Sequence, residues 1–368
     1  MTVRWPWKRR SVGQQLVVSW AGQQLVFVLA DMPQGGRYPI LKYGVEKQGA
    51  DSLEDFIKRL QGLGLKGCAT TVMMRPEQCQ LLQIDAPAVP PDELRAAARY
   101  QIKDLLNVHI DDITLDVMRV GEGEQKGSGQ LFVATATNTV LREVLAISDA
   151  MDWTVTVIDI QENAQRNLQS AAMKLDGRLD RADATLMLDQ AQAVLTISAN
   201  EELFYTRRIE LPDGFYDSSW RPAEEEVSTA AEAYVPVQAY VPDFNVGGVS
   251  HGTDYSIPEP DYGAATRAAV DPKIRAGQEK AERFSLEVQR SLDIWSRTWS
   301  NLPLDSVRVY VGERSGELAG WLDRQLGQSV TALDLSTPFP GFDGGVLGDT
   351  ALCAPLLGVL LRTETRKL

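Results

Sequence analysis

Few side chains in this chain are suited to polar chemistry. It has two histidines, His109 and His251, and three cysteines, Cys68, Cys79 and Cys353. No pair among them has zinc-ligand spacing and no CxxC occurs, so no structural zinc site is expected. Cys68 lies between Gly67 and Ala69, Cys79 between Gln78 and Gln80, and Cys353 between Leu352 and Ala354. These read as buried, inert thiols in preference to reactive ones. A hydrolase triad needs a base beside its nucleophile, and neither histidine has that context; His109 simply follows a helix end at Val108. Asp111-Asp112 reads as a capping turn and Glu224 to Glu226 as a solvated linker, not as paired catalytic carboxylates. No catalytic and no metal-binding residue is assigned, and the chain is not expected to be an enzyme.

Three other groups have chemistry that suits a partner. Arg95 and Arg99 lie one helical turn apart and could meet an acidic partner residue; a solvated helix face has the same spacing. Trp5, Trp7, Lys8, Arg9 and Arg10 form a local basic and aromatic cluster that suits an anionic membrane surface, or is a terminal tail. Ala233-Tyr234-Val235-Pro236 nearly repeats as Ala239-Tyr240-Val241-Pro242, which fits a short binding motif or a low-complexity linker.

The chain that must position these residues has 368 positions, 44% of them hydrophobic, and carries 37 Lys and Arg against 50 Asp and Glu. That length suits two or three domains. A formal charge of -13 repels phosphate backbones, so nucleic acid is not an expected partner. The odd, scattered cysteines fit a reducing compartment. No stretch approaches the roughly 18 to 20 apolar residues of a membrane span. Gln15 to Ala30 is interrupted by Ser19, Gly22, Gln23 and Gln24, a hairpin pattern and not a leader's apolar region, so the expected location is the cytoplasm.

Alternation predicts strands at Leu16 to Trp20, Leu25 to Leu29 and Tyr38 to Val45, then a helix capped at Asp51-Ser52 and running to Gly62. Strands at Ala69 to Met73 and Gln80 to Asp85 precede a helix opened by Pro90-Pro91-Asp92-Glu93, with Leu94, Ala97, Ala98, Ile102, Leu105 and Leu106 on its buried stripe. Strands at Ile113 to Val120 and Leu131 to Thr135 follow, then a helix capped by Asn138, a strand at Trp153 to Ile158 and a helix over Gln161 to Met173. A meander covers Ala184 to Asp189, Ala193 to Ser198 and Leu203 to Ile209. From Pro212 to Arg275, prolines and acids remove any amphipathic period, and the reading is a disordered insertion. A helix over Gly277 to Trp299, a strand at Ser306 to Val311, a helix at Glu317 to Leu326, a strand at Ser329 to Leu333 and an apolar helix at Thr350 to Leu361 complete the order.

Five stretches in that order resemble the actin-like cytoplasmic proteins of type IV pilus assembly, the PilM family, and among them the MshI-type members that serve mannose-sensitive haemagglutinin (MSHA) pili. Pro91 to Ile102 looks like the helix of the family's small inserted subdomain, and Asp112-Ile113-Thr114-Leu115-Asp116 like the strand after it. Val157-Ile158-Asp159-Ile160-Gln161-Glu162-Asn163-Ala164 resembles the junction that leaves that subdomain. Leu286 to Asp293 and Ala354 to Arg362 resemble the second-lobe helix and the closing helix. The resemblance implies an α/β, two-lobed actin-like (ASKHA) fold with an inserted SHS2-like α+β subdomain and a long low-complexity insertion. Its expected division is 1–66 first lobe, 67–160 inserted subdomain, 161–211 second-lobe meander with its preceding helix, 212–275 insertion, and 276–368 remainder of the second lobe and closing helix.

The resemblance also implies a nucleotide site built on three glycine-dependent turns, whose open backbone lets N–H groups reach phosphate. Here Ser19 stands where the first turn needs an acid, Trp20 crowds it, and only Gly22 is left. Asp189 survives in the second turn, but no glycine, serine or threonine follows it there. The adenosine loop would be Gly312-Glu313-Arg314-Ser315-Gly316, with a charge of each sign. The expectation is a vestigial site (Ser19, Gly22, Asp189, Gly312, Gly316), with no cofactor and ATP–Mg²⁺ disfavoured; the alternative is a weak ATP-binding or ATPase protein of pilus or type II secretion assembly.

The family docks the cytoplasmic N-terminal peptide of a bitopic, PilN-like inner-membrane protein. The groove would use the helix Asp92 to Leu106 and neighbouring strands, with Leu82, Ile84, Arg95, Arg99, Leu115 and Val117 as candidates; Leu94, Ile102 and Leu105 read as core. The implied role is a cytoplasmic scaffold, peripheral to the inner membrane of a Gram-negative bacterium and working with other pilus platform components.

Overall fold

The computed structural model describes residues 13–121, 129–218, 220, 272–343 and 349–363. β1 (Gln15–Ala21) and β2 (Gln24–Ala30) form a hairpin joined by Gly22 at φ 55 and Gln23 at φ 61. Two consecutive left-handed residues make the tight turn whose twist matches the strands it joins. β3 (Ile40–Lys47) extends the meander, and β4 (Ala69–Met74) and β8 (Thr154–Ile160) add in parallel, giving the order β3-β2-β1-β4-β8. α1 (Leu53–Gly62) is capped by Ser52, whose side chain accepts the Asp55 N–H. It buries Phe56, Ile57 and Leu60 against this sheet, while Leu53 is half exposed. α3 (Asn138–Ala150) covers the same face through Val144 and Ile147. Its cap is Thr137, not Asn138; Asn138 is the first helical residue and bonds Thr114 at 2.9 Å and the Asp111 carbonyl at 3.1 Å.

Between β4 and α3 lies a separate antiparallel sheet of β5 (Gln80–Asp85), β6 (Ile113–Arg119) and β7 (Gln130–Thr137), in the order β5-β7-β6. α2 (Leu94–Ile102) packs across it. This helix starts later than its sequence suggests, because Pro90 to Glu93 close successive turns before the regular ladder begins. It also ends sooner: Lys103 to Leu105 form one 3₁₀ turn that leaves Leu105 58% exposed, not on the buried stripe.

The second lobe repeats the first. β9 (Ala182–Leu188), β10 (Gln192–Ala199) and β11 (Glu202–Glu210) form a meander, and β12 (Leu304–Tyr310) and β13 (Val330–Ala332) add in parallel, in the order β11-β10-β9-β12-β13. α5 (Pro272–Thr298) and α6 (Ser315–Leu326) cover its outer face, with Phe284, Val288, Leu292 and Trp295 of α5 in the core. The last helix of each half crosses over. α4 (Gln161–Asp176), which follows the first sheet, packs on β9, β10 and β11, and α7 (Asp349–Leu360) packs on β1, β2 and β3. The two helices meet at Gly358, where a Cβ would lie 1.9 Å from the Ala164 carbonyl oxygen.

This topology moves the expected boundaries. β4, α3 and β8 belong to the first lobe, so the inserted unit runs from β5 to β7 and not over 67–160. α7, the closing helix of the 276–368 unit, covers the first sheet. The expected disordered stretch from 212 also starts too early: Phe215, Tyr216 and Trp220 are buried in the second-lobe core, and α5 begins at Pro272. The acids at 224–226 and the repeated motif at 233–242 lie outside the described residues, as do Trp5, Trp7, Lys8, Arg9 and Arg10. No helix among the described residues is long and apolar enough to cross a membrane.

Candidate functional site

The β1–β2 and β9–β10 turns face each other where the lobes meet. Ser19 is fully buried, and Arg75, directly after β4, lies across the first turn. Its guanidinium donates to Ser19 Oγ at 3.3 Å, to Gln24 Oε1 at 3.2 Å and to the Gln24 carbonyl at 3.5 Å. Gln78 completes the brace, donating to the Trp20 carbonyl at 2.6 Å and accepting the Arg75 N–H at 3.0 Å. Burial holds the Arg75 pKa below its ordinary value, against the opposing pull of Glu77 and Asp189.

In the second turn Asp189 serves its own backbone. Its Oδ1 accepts the N–H groups of Ala191 at 2.7 Å and Gln192 at 2.8 Å, an Asx-type closure that uses the donors a phosphate would need. The space between the two turns, bounded by Ser19, Arg75, Gln161, Asp189, Leu352 and Pro355, is about 20 Å³. That is room for on the order of one water molecule, far below the roughly 300 Å³ or more of a small-molecule pocket.

The expected glycine loop is shorter than its sequence suggests, since Ser315 and Gly316 already belong to the first turn of α6. Gly312 has φ 77, and a Cβ there would lie 2.8 Å from Thr350 Oγ1, so this position needs glycine. Ser315 Oγ ties the loop together, accepting the Val311 N–H at 2.9 Å and donating to the Gly312 carbonyl at 2.5 Å. Arg314 reaches the chain beyond β11: it donates to the carbonyls of Tyr216 (2.7 Å) and Ser218, and its guanidinium lies 4.0 Å from the Trp220 ring centroid. The strand-following segment therefore lies over the loop.

The six groove candidates separate. Ile84, Leu115 and Val117 are core, packed with Leu94, Ala98, Ile102, Leu131 and Val133 beneath α2, and Leu82 is partly buried against the same cluster. Alternation along β6 correctly shows that one face is buried, but not that α2 is what covers it. Arg95 pairs with Asp116 at 2.8 Å, and Arg99 donates to the Ile110 carbonyl at 2.5 Å and to Asp111 at 3.3 Å. Both arginines brace their own subdomain.

A groove does lie beside them, on the far side of β6. It is about 210 Å³, lies between the outer strand of the inserted sheet, β6, and the outer strand of the first sheet, β8, and is lined by Asp116, Arg119, Ile158, Asn163 and Arg362 among others, with the candidate Val117 also on its wall. Outer strands carry backbone donors and acceptors on one side without a ladder partner. The groove's end is fixed by Asp159, 3% exposed, which accepts from Arg362 at 2.6 Å, Asn163 at 3.1 Å and the Ile160 N–H at 2.9 Å. Three residues on, the fully buried Glu162 accepts from Arg208 of β11 at 2.6 Å. Arg208 also donates to the Cys79 carbonyl at 2.8 Å and to the Pro76 carbonyl, tying second lobe, inserted sheet and α4 together. Burial, followed by Glu162, pushes the Cys79 thiol up to about 11, with Arg208 opposing. Asp159 and Glu162 stand in the Val157 to Ala164 stretch singled out from sequence, and Arg362 ends the Ala354 to Arg362 stretch; Arg208 and Arg75 carried no local signal. Among the described residues no group of His, Cys, Asp and Glu could hold a metal ion.

No protein-family model and no curated protein matches the chain. Solved structures do. One described as the PilM-PilN type IV pilus biogenesis complex superposes with a TM-score of 0.61 at 15% identity, over 94% of this chain and 98% of that one. The fold is actin-like. Weaker likenesses are to a Bacteroides thetaiotaomicron protein with an actin-like ATPase fold and unknown function (TM-score 0.45, 8% identity, 94% and 95% covered), and to the cytoplasmic domain of EpsL, an inner-membrane component of the Vibrio cholerae type II secretion system (TM-score 0.37, 13% identity, 58% and 79% covered).

Proposed function

We propose that this chain is a non-enzymatic scaffold of a type IV pilus assembly platform, of the MSHA type, which binds the cytoplasmic N-terminal peptide of a bitopic, PilN-like inner-membrane protein. Its association with the membrane, on the cytoplasmic side, is through that partner and the other platform components. The observation that carries this reading is the groove of about 210 Å³ with outer strands β6 and β8 on its two sides. An extended tail can add to such an edge through main-chain hydrogen bonds, with alternate side chains read by pockets. Ile158, 37% exposed, offers an apolar contact, and Asp116, Arg119 and Arg362 offer polar anchors of both signs.

The nucleotide cleft supports the same reading by its poor fit to a nucleoside triphosphate and its metal. The Asp189 carboxylate is engaged by two amides of its own turn, Arg75 braces the other turn, and the residual cavity is about 20 Å³. The loop at Gly312 is held by Arg314 against Tyr216, Ser218 and Trp220. No catalytic step is assigned to these residues.

The test is fluorescence anisotropy of a labelled N-terminal cytoplasmic peptide of a PilN-like bitopic membrane protein from the same organism, titrated with the full chain. Saturable binding is expected, weakened roughly tenfold or more, about 1.4 kcal/mol, by Ile158→Asp. Absence of binding, or binding indifferent to Ile158→Asp, contradicts the groove assignment.

A further inference from the structure

The groove between β6 and β8 is built by three parts of the molecule. Val117 comes from the inserted sheet, Ile158 and Asn163 from β8 and the start of α4, and Leu203 from β11 of the second lobe. The inserted sheet joins the first lobe by two short connections. One is the single 3₁₀ turn Pro76–Gln78 before β5, and the other is the direct passage from Thr137 of β7 into α3. Two such connections define an axis about which a small sheet can turn, and turning it changes the distance from β6 to β8.

Strand β11 holds the inserted sheet at two points. Near the end of β6, Val120 and Phe132 share a buried core with Leu203 and Phe204, and a Cβ on Gly121 would lie 2.7 Å from the Phe204 ring. Where β5 begins, Arg208 donates to the Cys79 carbonyl at 2.8 Å and to the Pro76 carbonyl. The same guanidinium donates to Glu162 Oε1 from Nε at 2.9 Å and from Nη2 at 2.6 Å. Glu162 is fully buried and precedes Asn163 on the groove's other wall. One planar fork thus spans the entry to the β6 wall and the start of the α4 wall, a geometry that the single ammonium of lysine does not reproduce. Among the described residues Arg208 is not part of the groove's lining, so it acts on a bound tail through the walls it fixes.

We propose, resting on the tail-binding groove put forward above, that Arg208 is a positioning residue for tail capture: from the second lobe it fixes the separation of the β6 and β8 walls. The second lobe thereby sets the affinity of a groove whose two edges belong to the first lobe and its insertion. Coupling of this kind is reciprocal, so a bound tail in turn holds the inserted sheet against β11.

Two variants separate position from stability. Arg208→Met/Glu162→Gln leaves no buried carboxylate without its cation, and Arg208→Lys keeps the charge but loses the fork. Tail affinity, measured by anisotropy under conditions where urea unfolding shows each variant folded, is expected to fall about tenfold in both. Spin labels are placed at Thr114→Cys of β6 and Thr156→Cys of β8, both exposed and outside the lining, while Cys68, Cys79 and Cys353 are buried. The distance distribution between the labels is expected to be broader in both variants than in the parent chain, and saturating tail to narrow it again. Full tail affinity in both variants, or an unchanged distribution in both, overturns the positioning role while leaving the groove intact. So does an affinity that recovers in step with the urea midpoint when Glu162→Gln is added to Arg208→Met, since that marks a role in stability alone. Failure of the parent chain to bind the tail contradicts the groove itself, and the positioning role with it.

Discussion

Gly358 has no side chain because there is no space for one: its Cβ would lie 1.9 Å from the Ala164 carbonyl oxygen and 2.5 Å from its carbon, both backbone atoms. Gly358→Ala must push α4 and α7 apart and is expected to cost about 3 kcal/mol or more, read as the shift in a urea midpoint. Cys79 is the residue at which the expected inertness can be measured. With its thiol raised to about 11 and 5% of its surface exposed, it should react with a disulfide reagent far more slowly in the native chain than in the unfolded one. A native rate close to the unfolded rate would contradict this. Asp183 supplies a pH dependence. Burial pushes its carboxyl up to about 6, outweighing Arg308, Ser306, Thr185 and Gln169, so the folded chain holds that proton more tightly than the unfolded chain does. Its contribution is therefore complete below the ordinary carboxyl value and is lost as pH rises through about 6. Urea unfolding at about pH 4 and about pH 7 should show this loss in the wild type, and Asp183→Asn should remove that component. An unchanged pH profile in the variant would refute it.

At the scale of elements, the best-determined junction is the one where Arg208 of β11 meets Glu162 at the start of α4 and the carbonyls that precede β5. Arg208→Met leaves the Glu162 carboxylate, with 1% of its side chain exposed, buried without its cation. The expected cost is about 3–5 kcal/mol, and adding Glu162→Gln should recover part of it. Equal stability of wild type and Arg208→Met would mean the pair does not hold the junction. Elements whose causes are local were legible in sequence. The β1–β2 hairpin is marked by alternation and a glycine turn, and α1 by its Ser52 cap. The apolar spacing of α5 was readable for the same reason. Pairings between distant segments were not legible. Nothing near Ala69 or Thr154 announces that β4 and β8 complete the first sheet, and the alternation of Ile84, Leu115 and Val117 suits a covered core as well as a binding face. The candidate groove was therefore legible as a neighbourhood, between the first lobe and the inserted sheet; of the residues named for it Val117 lines the groove, while Ile84 and Leu115 pack beneath α2.

For the molecule as a whole, two copies of one sheet order are joined by helices that cross to the opposite lobe, and the cleft between them is closed. Ser19, the Asp189 turn and Arg314, at the positions where the sequence departs from the nucleotide-site pattern, each make contacts within the chain: Ser19 with Arg75, Asp189 with the amides of its own turn, and Arg314 with Tyr216, Ser218 and Trp220. Among the described residues, the groove between β6 and β8 is an open polar surface, the one we propose for partner recognition. We propose that this actin-like chain works as a scaffold without nucleotide. Calorimetric titration of ATP–Mg²⁺ into the full chain is the decisive measurement: no saturable heat is expected up to about 1 mM nucleotide, and a micromolar binding isotherm would overturn the nucleotide-free scaffold.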